Sequence, residues 1–315
     1  MKKQYVAALQ EGDVVNDYFV AARKDLRDQA NGRKFLGMVF KDRTGEIGGI
    51  MWSNAVAVAQ VFEVGDVVNV RGTVTSYQGR LQLRVEQVLP LRENEYNAEE
   101  LVFTSPDTED VLGKFRTILS TIQNEWLGRL VGSFLEDAEF MGRFVTAAAG
   151  KKWHHAFRGG LVQHCYEVAR IAGTVCELFA NIDRDLLLTA VFLHDVGKLE
   201  EMGHDLFVEY TTAGRLLGHV QIGADIVQKR MRSFEGFPET LRLQLLHCIL
   251  AHHGELVNGS PVVPKTLEAV VLYLADNLDA QADAFTRVVQ ETKDKGQQRS
   301  DYLPLIDRQI WTKDA

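Results

Sequence analysis

Apolar and polar residues change their spacing once along this chain, near residue 91. From about residue 14 to 90 they alternate in short runs broken by turn residues, which is the period of half-buried strands. The pattern predicts strands over 17–25, 34–41, 46–52, 67–77 and 80–89. Asp42-Arg43-Thr44-Gly45 turns the second strand into the third, and Ser53 is placed to cap a short helix through Ala59. Gly65-Asp66 turns into the fourth strand, and Gln78-Gly79 reads as a hairpin. Trp52 is assigned to the interior of the resulting sheet.

Residues 91–105 are polar, lack a strand pattern and read as a linker. From Pro106 onward the period becomes helical, with segments over 107–123, 125–148, 160–180, 184–195, 214–232, 238–253 and 265–290. Gly197 and Gly254 follow two of these as stop signals, and Pro238 opens another. Three strands, a helix and two strands is the order of a five-stranded OB-type barrel, with another small β-barrel as the alternative. The expected architecture is therefore multidomain: an all-β OB-type barrel over 1–90, a linker over 91–105, and an all-α domain over 106–315.

A chain of 315 residues exceeds one ordinary core, in keeping with that division. No apolar run approaches the length of a membrane span, and the first residues lack the apolar stretch of a secretory signal. Three cysteines without a CxxC pair speak against a disulfide framework and for a reducing cytoplasm. The net charge of −8 disfavours nucleic acid at first sight. Its distribution softens this, because residues 1–90 carry 12 Lys and Arg against 10 Asp and Glu. A polyanion-binding surface is a local property, so the first domain remains free to supply one.

All nine histidines fall between His154 and His253. His164 continues an apolar helical row of Leu161, Val168, Ile171, Ala172, Val175 and Phe179. His194 continues Leu187, Ala190 and Val191, Asp195 follows Leu188, Val191 and Phe192, and Asp276 sits among Val270, Leu272, Leu274 and Leu278. Carboxylates aimed at a core must meet a cation or lose their charge. A divalent metal shared by His and Asp resolves this for the whole group. His247 is out of step with His252 and is read as a core or supporting residue.

The order His164, His194-Asp195, Asp276, with His194-Asp195-Val196-Gly197-Lys198 as an HDxGK run, resembles the HD superfamily of metal phosphohydrolases. His219 and the pair His252-His253 fit its two-metal variant. The resemblance implies one ion on His164, His194, Asp195 and Asp276. Asp195 would bridge to a second ion on His219 with His252, His253 or both. Such an imidazole-rich set suits Mn, Fe or Co, with Ni or Zn next, better than Mg. Asp195 and Lys198 are the catalytic candidates, Lys198 as a phosphate-binding cation at the loop end or as an ordinary solvated helix-end charge. His154, His155 and Arg158 precede the first ligand helix and Arg215 precedes His219, all as candidates for substrate phosphate.

An OB-type segment followed by an HD domain with the His154-His155-Ala156-Phe157 and Gly159-Gly160-Leu161 runs resembles the YhaM-type 3′→5′ exoribonucleases. That resemblance implies removal of nucleoside 5′-monophosphates from single-stranded RNA, with DNA open as a second substrate, by attack of a metal-activated hydroxide. Arg33, Lys34, Phe35, Lys41, Arg43, Arg71 and Tyr77 are the candidates for strand binding, each otherwise a solvated charge or packing aromatic. The alternatives are an HD phosphodiesterase or phosphohydrolase of cyclic dinucleotides or nucleotides, or a catalytically silent OB/HD binding protein. Cyclic-dinucleotide enzymes of the superfamily carry Gly-Tyr-Pro after the paired histidines, whereas here Gly254-Glu255-Leu256 follows. No membrane partner is expected, and a homo-oligomer is left open.

Overall fold

The computed structural model describes all residues except 30–31, 103–106, 151–154, 204–209, 295, 304–305 and 313–315. The chain divides into two compact units, the first covering residues 1–104 and the second nearly all the rest.

In the first unit, strands β1 (Val14–Asp28), β2 (Lys34–Asp42), β3 (Gly45–Met51), β4 (Val67–Tyr77) and β5 (Arg80–Pro90) close into a barrel in the order β1-β2-β3-β5-β4. All pairings are antiparallel except β3 with β5. Closure depends on β1, whose first half pairs with β4 and second half with β2, with a bulge between Ala21 and Arg23 bending it from one to the other. Alternate residues fill the interior, among them Val15, Phe19, Leu36, Phe40, Val70 and Leu83. Gln78 and Gly79 both take positive φ (52° and 76°), as a two-residue hairpin turn requires.

Three expectations are corrected here. Trp52 is 53% exposed rather than interior, because β3 ends at Met51 and the indole lies outside against the Phe35 ring, 5.0 Å between centroids. Ser53 does not cap the short helix α1 (Ala55–Ala59), whose N-cap is Asn54. Much of the stretch read as a linker packs on the barrel: Leu91, Tyr96 and Leu101 cover Tyr18, Val20 and Val67. Buried Glu100 accepts from the Lys2 backbone N–H (2.8 Å) and from the Tyr18 hydroxyl.

The second unit is helical: α2 (Thr108–Leu119), α3 (Glu125–Leu135), α4 (Ala138–Thr146), α5 (Gly160–Leu178), α6 (Arg184–Leu193), α7 (Lys198–Glu201), α8 (Thr212–Arg232), α9 (Glu239–Ala251) and α10 (Leu267–Asp294). The segment predicted over 125–148 is two helices, because Asp137 caps a fresh one by accepting the Phe140 N–H at 3.0 Å. Phe179 lies beyond the end of α5 and is exposed. No described helix is long and apolar enough to cross a membrane.

Helix α6 is buried on every side from Leu186 to Leu193, so neighbours surround it instead of covering one stripe. Phe192 is the hub of this packing, edge-on to Phe115 (5.9 Å), Phe134 (6.3 Å) and Phe144 (5.4 Å). It fixes the end of α6, and the residues that follow are His194 and Asp195. Truncating this ring removes contacts with three helices at once. Phe192→Ala should destabilise the protein by about 3–5 kcal/mol in denaturant unfolding followed by helical circular dichroism. A loss under about 1 kcal/mol would mean that the neighbours collapse around the gap and the ring is no hub.

Candidate metal centre

Helices α6 and α9 use one device to present a histidine. His194 is the C-cap of α6, and its Nδ1–H donates to the Val191 carbonyl three residues back (2.8 Å). His252 is the C-cap of α9, and its Nδ1–H donates to the Ile249 carbonyl (2.6 Å). His253 Nδ1–H donates to the Asn258 carbonyl at 3.1 Å. A carbonyl only accepts, so in each neutral ring the proton sits on Nδ1 and Nε2 presents a bare lone pair. His164, fully buried on α5, donates from Nδ1 to Asp279 (2.6 Å), and His219 on α8 donates from Nδ1 to Glu201 (3.0 Å).

Five Nε2 atoms are thereby turned inward, and as neutral rings they bring lone pair against lone pair. His164 Nε2 and His194 Nε2 are 3.2 Å apart, as are His219 Nε2 and His253 Nε2. Two lone pairs at that distance require a proton or a metal ion between them. His252 Nε2 and Asp195 Oδ1 are buried and have no hydrogen-bond partner among the described residues. Ligand atoms of His164, His194 and Asp276 form one group within 4.8 Å of one another, and those of His219, His252 and His253 form a second.

Asp195 stands between the groups. Its Oδ2 lies 3.3 Å from His194 Nε2 and 3.5 Å from His164 Nε2. Its Oδ1 lies 3.5 Å from His219 Nε2 and 3.7 Å from His252 Nε2. Orphaned atoms, paired imidazoles and a shared carboxylate are what a pair of divalent cations would satisfy, so the residues present fit metal.

The electrostatics agree. Burial works to raise the pKa of Asp195, but Lys198, His194 and His219 overcome it and hold the carboxyl well below the usual range. Burial and the neighbouring His194 and His253 push His252 far down, keeping it neutral. Burial opposes a charged His164, yet its hydrogen bonds to the Asp276 and Asp279 carboxylates prevail and raise its pKa to about 10. Without a cation, a proton is drawn into the place where one would sit.

Residues 161–281 match the family model described as HD domain, and residues 20–91 match one described as OB-fold nucleic acid binding domain. An HD domain follows an OB-type barrel. Similar solved structures include the HD domain of the phosphodiesterase PgpH from L. monocytogenes, at 18% identity over 43% of this chain and 79% of that one, TM-score 0.27. The second OB-fold domain of replication protein A from Methanococcus maripaludis matches at 19% identity over 30% of this chain and 97% of that one, TM-score 0.24. Identity and score are too low for either likeness to bear on function.

The structure brings together all seven metal-ligand candidates of the HD domain: His164, His194, Asp195, His219, His252, His253 and Asp276. The row assigned to Asp276 is corrected: Val270, Leu274 and Leu278 are exposed, and the buried neighbours on α10 are Leu272, Ala275 and Asp279. Lys198 is no free loop-end cation, since it is buried in an ion pair with Asp195. His155 does not reach outward either, being 3% exposed and 3.0 Å from Asp279 through Nε2. Arg158 and Arg215 are exposed, and His154 lies outside the described residues. His247 is half-buried and accepts the Lys265 backbone N–H at 2.8 Å, a supporting role. Asp279 and Glu201 were not singled out in advance. Asp279 could have been found, standing one turn past Asp276 on the same helix, whereas nothing local marks Glu201.

The barrel candidates separate. Lys34 and Phe35 begin β2, beside Arg27 and Trp52, while Lys41 lies near its far end and Arg43 in the turn that follows. The register of β3 with β5 carries Tyr77 and its hairpin turn to the Lys41 end. Arg71 stands on β4 beside Glu86 (3.8 Å), separated from β2 by β1. Arg33 and Lys34 are exposed, Lys34 pairing with Asp28 at 2.8 Å, and Arg43 lies over the Tyr5 ring at 4.8 Å.

Gly197 of the HDxGK run has ordinary helical φ (−63°), so space and not conformation requires glycine there. A Cβ would fall 1.9 Å from the His219 carbonyl oxygen and 2.6 Å from Gly223 N. Gly197→Ala should push α8 away from Asp195, at about 1–3 kcal/mol of stability. Thermal melts with and without MnCl2 test it: the manganese-induced rise in Tm should shrink in the variant, since ligand binding stabilises by mass action. An unchanged rise with an unchanged baseline Tm would refute the contact as a constraint on the centre.

Proposed function

We propose that this protein is a metal-dependent 3′→5′ exoribonuclease of single-stranded RNA. The observation that carries this reading is the Asp195 carboxylate, one oxygen toward each of two imidazole groups, in a chain that also bears an OB-type barrel. His164, His194, Asp195 and Asp276 would hold one divalent ion. His219, His252, His253 and the other Asp195 oxygen would hold a second, with Mn, Fe or Co favoured by the donor set. Bound there, such ions lower the pKa of a water and neutralise phosphoryl oxygens.

The chain's own groups prepare for this. Lys198 keeps Asp195 ionised, and Asp279, itself held by His155, turns the His164 lone pair inward. Hydrolysis forms a bond from water oxygen to phosphorus and breaks the P–O3′ bond. The shortened strand keeps a 3′ hydroxyl and the released nucleotide a 5′ phosphate. On the barrel, the Phe35–Trp52 pair offers a stacking surface, with Arg27, Arg33 and Lys34 near it for phosphates.

A single-stranded RNA labelled at its 5′ end should shorten as a ladder with the label retained on the long products. Release of the label as a mononucleotide in the first turnovers would refute the polarity. Preferential cleavage of cyclic dinucleotides would favour that alternative. Asp195→Ala should abolish cleavage by on the order of 10³-fold or more while leaving strand binding intact, and His219→Ala should lose less. Equal cleavage by Asp195→Ala and the unmodified protein would end the metal-centre reading.

A further inference from the structure

Helix α8 is broken inside. Gly218 takes φ 72° and ψ 155°, so the helical run beyond it starts afresh at His219. A first helical residue has no acceptor within its own helix for its N–H. Here that N–H donates to Glu201 Oε1 at 3.0 Å, and the same oxygen accepts the His219 Nδ1–H, also at 3.0 Å. One carboxylate oxygen thus sets both the backbone origin and the ring of His219.

Glu201 is itself held on the element that follows the His194-Asp195 pair. It ends α7, is 8% exposed, and its carbonyl accepts the Thr211 N–H at 2.9 Å. The start of α8 packs close on it, where a Cβ on Gly214 would lie 2.2 Å from that carbonyl oxygen. His164 and His194 are oriented by other groups, donating from Nδ1 to Asp279 and to the Val191 carbonyl.

We infer that Glu201 is the positioning residue of the second metal subsite alone, referencing His219 to the turn that carries Asp195. This rests on the two-ion reading above. Removing the carboxylate frees the His219 ring to rotate and its tautomer to change. The second ion is then held by fewer oriented nitrogens, while the first subsite is untouched. Loss of such a supporting partner weakens metal binding by about 10- to 100-fold.

The test is calorimetric titration of the full-length, chelator-treated protein with MnCl2, with bound manganese counted by elemental analysis. The unmodified protein should take two ions, and Glu201→Ala should keep one at unchanged affinity and bind the other about 10- to 100-fold more weakly. Glu201→Gln, which retains one acceptor oxygen and the side-chain size, should fall between them, and it answers the question if Glu201→Ala does not fold. Two ions at unchanged affinity in both variants overturn the inference about Glu201. Equal weakening of both ions in Glu201→Gln also overturns it, by making Glu201 a general support of the centre. Fewer than two ions in the unmodified protein overturn the two-ion reading, and the inference with it.

Discussion

An ionised carboxylate enclosed by protein tolerates few surroundings, and Asp195 is such a group. Lys198 neutralises it from one side, yet Oδ1 is left with imidazole nitrogens at more than hydrogen-bond distance. Those nitrogens present lone pairs because the other nitrogen of each ring donates, in His219 to the Glu201 carboxylate and in His252 to the Ile249 carbonyl. Much of the helical unit can be understood as the means of holding this arrangement. A helix buried on all sides delivers Asp195, an aromatic hub fixes the end of that helix, and a glycine lets α8 approach it.

The two histidines at helix C-caps show how economical the construction is. The carbonyl each ring bonds belongs to its own last turn, so orientation of His194 and His252 needs no distant partner. A helix C-terminus also carries partial negative charge, which favours a cation nearby. His164 and His219 lie inside helices or just past a break, where backbone carbonyls are taken, and each depends on a carboxylate brought from elsewhere. The centre is therefore local in half its parts and tertiary in the other half.

The barrel presents a different balance. Its closure is set by bulged β1 and by the parallel contact of β3 with β5, not by any single residue. Cations suitable for phosphate are spread over both ends and around the wall. At the start of β2 they accompany a ring pair of half-buried Phe35 and exposed Trp52. That pair exists because the register that sets Leu36 opposite Met51 brings Phe35 and Trp52 side by side just beyond it.

Period-two alternation, the Gln78-Gly79 turn and the helical rows are local signals, and they carry the two-part architecture, the strands and most of the longer helices to within a few residues, the segment over 125–148 excepted. The spacing of His164, His194-Asp195, His219, His252-His253 and Asp276 made the centre legible as a set, because chemistry demands those residue types whatever the fold around them. The apolar rows through Asp276 and Phe179 include exposed residues, since apolar residues also occupy exposed faces and periodicity does not say which face is covered. Trp52 was placed inside for a similar reason, one residue past the end of its strand. Partnerships across long separations were invisible: Asp279 with His164 across 115 residues, Glu201 with His219 across 18, and the Lys2 backbone with Glu100 across 98. Sequence alone determines which groups are available and how each segment alternates. Which lone pair faces which, and which charge is left without water, is decided only when distant segments pack, because hydrogen-bond direction and desolvation are properties of the assembled surroundings.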